Sequence, residues 1–110
     1  MRVKFPDLFA TAAFLLAANG AAAQELGDAK AGLRFAGQIC AECHAVKAGE
    51  RASPRAQAPT FETIANTSGM TAMALRVWFR TAHTSMPSLV LSEQNSDNVI
   101  AYILSLKKHS

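Results

Sequence analysis

Residues 40–44 read Cys40-Ala41-Glu42-Cys43-His44, and the chemistry of these five positions decides how the rest of the chain is read. Two thiols three positions apart at a helix end are placed to add across the two vinyl groups of one haem. A histidine directly after the second thiol is then held beneath the iron as an axial ligand. The covalent links fix the porphyrin edge, so the adjoining imidazole has one place to go. A thioredoxin-like dithiol needs a strand before the motif and a βαβ setting, whereas the apolar spacing ahead of Cys40 is helical. Structural zinc needs four ligands, and beyond Cys40, Cys43 and His44 the chain offers only His83 and His109, with no second paired motif. A disulfide between residues so close would stabilise little. The expected cofactor is therefore one covalently attached haem c with its iron.

Outward from the motif the periodicity is helical throughout, with no convincing strand. Asp28 is placed to cap a first helix whose inward positions are Gly32, Phe35, Ala36 and Ile39, and the end of that helix runs into the cysteines. The stretch from Val46 to Pro59 has no apolar period and reads as a surface loop. A short helical segment from Phe61 to about Asn66 follows, closed by Ser68-Gly69. Thr71 caps a third helix that turns Leu75, Trp78, Phe79 and Ala82 inward and leaves Arg76 and Arg80 in water; Pro87 forbids its continuation. The last helix starts at Ser92, with Glu93 and Asp97 near its positive end and Lys107-Lys108 near its negative end. It buries Val99, Tyr102, Ile103 and Leu106. The expected fold class is all-α, about four helices wrapped around the haem.

A haem held by His44 leaves a sixth iron position, for which Met70, Met73, Met86, His83 and His109 are the candidates. Met73 lies within the third helix and is expected in the core. Met70 sits just ahead of that helix, and His109 beside a fraying terminus. Met86 lies in the irregular stretch Thr84-Ser85-Met86-Pro87 between two helices, where the chain is able to carry a side chain to the distal face while Pro87 stiffens the backbone. Met86 is the expected ligand, with His83 as the alternative. Metal ligands His44 and Met86 leave no open site for a substrate, so the iron exchanges one electron, and the thioether favours the ferrous form. That excludes an enzyme with a substrate site of its own.

In the order helix, CAECH, proline, helix, Met-Pro, C-terminal helix, the mature chain resembles a class I cytochrome c of the small bacterial branch. The resemblance implies that Tyr102, on the family's terminal helix, packs over a small residue of the first helix, here Gly32. It implies too that Ala58-Pro59 is similar to the family's Gly-Pro, whose proline carbonyl accepts a hydrogen bond from the axial histidine. The function expected is that of a periplasmic one-electron carrier between redox partner proteins such as a dehydrogenase, reductase or oxidase. The alternatives are a dedicated haem subunit of one such complex and a ligand-binding haem protein.

The remaining composition agrees with a small exported domain. Of residues 1–23, 16 are hydrophobic; Arg2 and Lys4 precede an apolar run from Leu8 to Ala18, and Ala21-Ala22-Ala23 supplies the small residues a signal peptidase needs. Cleavage before Gln24 leaves residues 24–110 as the haem domain, expected as a monomer without stable membrane insertion. A retained anchor is the rival, but the run is broken by Thr11 and Asn19-Gly20. The mature segment carries nine Lys and Arg against seven Asp and Glu, a balance too weak to argue for nucleic acid. Lys47, Arg51 and Arg55 recur every four residues and could pair with haem propionates, dock an acidic partner or simply be solvated. Trp78 offers an indole N–H to a propionate. So short a domain usually needs a staple, and a buried macrocycle supplies it.

Overall fold

The computed structural model describes residues 2, 27–81, 85–86 and 90–108. Apart from Arg2, the 1–23 segment lies outside the described residues, as do Ala82, His83, Pro87, Leu89 and His109.

Each helix begins where a short polar side chain closes the first turn. Asp28 accepts from the backbone N–H groups of Lys30 and Ala31, starting α1 (Ala29–Gln38). Thr60 does so for α2 (Phe61–Ala65), Thr71 for α3 (Ala72–Arg80) and Ser92 for α4 (Glu93–Ser105). A 3-10 turn over Cys40–Glu42 follows α1. No strand occurs among the described residues, and the all-α expectation holds.

The main packing is α1 against α4. A Cβ at Gly32 would lie 1.9 Å from the Asn98 carbonyl oxygen and 2.8 Å from Cβ of Tyr102, so only hydrogen fits at the crossing. The expected seating of Tyr102 over Gly32 is thus present. Buried Asn98 locks the same crossing, its Oδ1 accepting from the backbone N–H of Asp28 at 2.9 Å and from Nε2 of Gln94 at 3.2 Å. The core gathers Ala36, Val46, Phe61, Ala65, Leu75, Val99, Ile100, Tyr102 and Ile103. After α4 the chain is tied back: the Lys107 ammonium donates to the Met70 carbonyl, and the Lys108 backbone N–H to Oδ1 of Asn66.

Packing overrules the sequence reading at several side chains. Val46 is no part of a surface loop; it is 3% exposed, drawn into the core by the Tyr102 hydroxyl, which donates to its carbonyl. Ile39 is 41% exposed rather than inward; it caps the end of α1, its N–H still closing on the Phe35 and Ala36 carbonyls. Arg76 is not left in water: its Nη1 meets Oδ1 of Asp97 at 2.7 Å, bridging α3 to α4. Met73 is 68% exposed instead of in the core, since the buried face of α3 runs through Leu75, with Ala72 and Phe79 half-buried beside it. Leu106 is half-buried at the end of α4.

Candidate cofactor site

The 3-10 turn sets the geometry of the motif. The backbone N–H groups of Cys43 and His44 both donate to the Cys40 carbonyl, at 3.1 and 2.9 Å, and this tight coil brings Cys40, Cys43 and His44 to the wall of one cavity. The cavity has a volume of about 380 Å³, within the range of small-molecule and cofactor sites. From α2 it takes Phe61 and Ile64, from α3 Leu75, Trp78 and Phe79, and from the segments between helices Met70 and Met86.

The segment around His44 is pegged at successive positions. The Cys43 carbonyl accepts from the Arg55 N–H, the Ala45 N–H donates to Oγ of Ser53 at 3.0 Å, and the Ala45 carbonyl accepts from the Phe61 N–H at 2.8 Å. The imidazole itself lies with Nδ1 2.7 Å from the Pro59 carbonyl oxygen. A carbonyl only accepts, so the proton is on Nδ1 and the lone pair is left on Nε2. The Phe61 ring tilts against the imidazole at 5.5 Å and against Tyr102 at 6.3 Å, linking the histidine to the core by aromatic packing.

Burial pushes the Cys40 thiol up to about 11, so at neutral pH it stands as a protonated, uncharged group in an apolar wall. The two thiols are not bridged to each other. Among the described residues no three His, Cys, Asp or Glu side chains converge on a point where a bare ion would sit. Two thiols, an imidazole lone pair and thioether sulfurs around an apolar cavity are instead a donor set matched to iron carried in an apolar macrocycle, and the residues fit a haem. Glu62 on α2 has its carboxyl held below the usual range, first by the Gly49 N–H and then by Lys108.

Of the expected site residues, Cys40, Cys43, His44 and Met86 all line the cavity, and Met73 does not. Met70 joins the wall, which the periodicity gave no means to foresee: a turn in which its N–H donates to the Thr67 carbonyl folds it back onto the core. Of the basic loop residues only Arg55 reaches the wall; Lys47 and Arg51 are exposed away from it. Phe61, Ile64, Leu75, Trp78 and Phe79 supply the apolar lining of the cavity, while Leu91 is half-buried and takes no part in it.

Over 93 residues the chain is 31% identical to Cytochrome c-552 of Bradyrhizobium diazoefficiens, an alignment spanning 84% of this chain and 88% of that protein. No protein-family model matches the chain. No solved structure matches it either.

Proposed function

Because the chain belongs to the class I c-type cytochromes, electron-transfer proteins with covalently attached haem c, we propose that residues 24–110 serve as a periplasmic one-electron carrier between redox enzymes. In this reading residues 1–23 are the export signal, removed before Gln24, and the mature protein is a monomer. When bound, the haem iron supplies exchange of a single electron between its ferrous and ferric states.

The chain's residues hold and tune that centre. Cys40 and Cys43 would hold the haem covalently, and His44 and Met86 would ligate its iron. The bond from His44 Nδ1 to Pro59 is the observation that carries the assignment, because it fixes the tautomer and makes Nε2 the donor on the cavity wall. Met86 contributes a soft sulfur that favours the ferrous form. Phe61, Ile64, Leu75 and Phe79 keep water from the site, which lowers the reorganisation that accompanies a change of charge. Arg55, the one arginine or lysine among the described lining residues, offers a guanidinium to an acidic group of the cofactor.

The ligand assignment is tested by the weak far-red charge-transfer band of a ferric thioether complex, together with intact mass. The expected mass is that of the polypeptide from Gln24 plus one haem. Met86→Ala should abolish the band, lower the reduction potential and admit carbon monoxide, while Met70→Ala leaves the band in place. A band that survives in Met86→Ala and disappears in Met70→Ala would transfer the sixth position to Met70; a colourless protein of bare polypeptide mass would end the reading.

A further inference from the structure

The outer face of α3 is apolar where a surface helix is normally polar. Met73 and Val77, one turn apart, are 68% and 57% exposed, and Arg80 completes the same i, i+4, i+7 stripe. Adjacent exposed apolar side chains with a charged rim mark a contact surface. Two further observations say what kind of contact. The first is charge: α3 carries Arg76 and Arg80 and no carboxylate, and Arg76 is already paired with Asp97. At the other end of the helix the Lys107 ammonium sits 2.9 Å from the Met70 carbonyl oxygen, just ahead of the Thr71 cap. A cation therefore stands near each end of α3, Lys107 ahead of its cap and Arg80 at its last residue. The second is position: Ala74 and Trp78, the next residues round the helix from Met73 and Val77, line the cofactor cavity. A body resting on the stripe is separated from the cavity by the thickness of one helix wall.

We propose that the outer face of α3, Met73 and Val77 flanked by Arg80 and Lys107, is the docking surface for an acidic redox partner protein. The proposal rests on the electron-carrier reading. A helix of nine residues spans about 13 Å, which suits the small interfaces of transient redox encounters. The apolar centre supplies the contact, and the flanking cations steer an acidic surface to it. In the encounter one electron leaves the haem iron, which passes from ferrous to ferric, and reduces the partner's acceptor centre by one. A bilayer is the poorer occupant, because two side chains bury too little apolar area to hold a protein on a membrane.

The test is hydroxyl-radical footprinting of the haem-loaded protein, read by mass spectrometry on Met73 and Val77, with membrane vesicles from the producing organism as the probe. The same vesicles under oxygen report oxidation of the ferrous protein. Expected are protection of Met73 and Val77 at low ionic strength that fades with added salt, and a drop in vesicle-driven oxidation of about tenfold in Val77→Asp. Arg80→Gln with Lys107→Gln should flatten the salt dependence. Oxidation by hexacyanoferrate(III), which needs no apolar contact, should stay near the wild-type rate in Val77→Asp, and Leu33→Asp on α1 should behave as wild type with the vesicles. Unprotected Met73, or wild-type vesicle oxidation of Val77→Asp, overturns the docking face while leaving the carrier intact. Equal protection by protein-free phosphatidylglycerol vesicles, or protection that rises with the protein's own concentration alone, also overturns it. Wild-type protein that the vesicles do not oxidise at all would overturn the carrier reading instead.

Discussion

Gly32→Ala tests whether the α1–α4 crossing is set by the absence of a side chain. The added methyl would stand 1.9 Å from the Asn98 carbonyl oxygen and 2.6 Å from its carbon, whereas ordinary contact begins at 3.4 Å. Both atoms are backbone of α4, so no rotamer change relieves the clash and the helices must part. Recovering the difference between 1.9 and 3.4 Å means a displacement of about 1.5 Å, and a gap of even 0.5–1 Å forfeits about a quarter to a half of the dispersion attraction across it. Val99, Tyr102 and Ile103 are buried along this seam, each contributing about 2 kcal/mol by burial. The loss over the three is then about 1.5–3 kcal/mol. Parting the helices also strains the bond from Asp28 N–H to Asn98, for about 1 kcal/mol more. Alanine returns about 1 kcal/mol of helix propensity. The net cost is about 1.5–3 kcal/mol, or a melting temperature lower by about 6–24 °C in a domain of this size. Gly37→Ala is the control on the same helix, since nothing lies within 4 Å of a Cβ there; it should raise the melting temperature by a few degrees, about 1 kcal/mol. Thermal unfolding of the haem-loaded protein followed by far-ultraviolet circular dichroism reads both. If the two alanine variants shift in the same direction, the close crossing is not what Gly32 provides.

Tyr102→Phe keeps the ring against Phe61 but leaves the buried Val46 carbonyl without its donor, and denaturant titration should show a loss of about 1–3 kcal/mol. Arg76→Gln breaks the bridge to Asp97 between α3 and α4; the same titration should show a loss of about 1.5–3 kcal/mol, since the hydrogen bond is to a charged group shielded from water on both sides. Glu62 has a carboxyl held below its ordinary value of 4.5, so its contribution is present above that value and is lost as pH falls through the lower, folded-state value. Wild type should therefore exceed Glu62→Gln in stability at pH 7, the two curves should converge as the solution is acidified below that ordinary value, and a difference that grows on acidification would reverse the assigned sign.

Local chemistry was legible in residues 40–44, in Asp28, Thr71 and Ser92 as caps, and in the three- and four-residue spacing of Val99, Tyr102 and Ile103. Each rests on groups within a turn or two of one another: a thiol pair beside an imidazole, a side-chain oxygen reaching its own helix's N–H, an apolar stripe. Gly32 and Pro59 were reached through family resemblance, not through their neighbours in the chain. What tertiary structure alone decided is which way each amphipathic element turns. A 3.6-residue period defines a stripe about a third of a helix wide, and one position of rotation is enough to move Met73 from the core to water and Arg76 from water to Asp97. The same holds across distance. Val46 looks like loop in a sequence window, yet it is buried, its carbonyl accepting from a hydroxyl 56 residues away, and only the packing of α4 on α1 holds that hydroxyl in place.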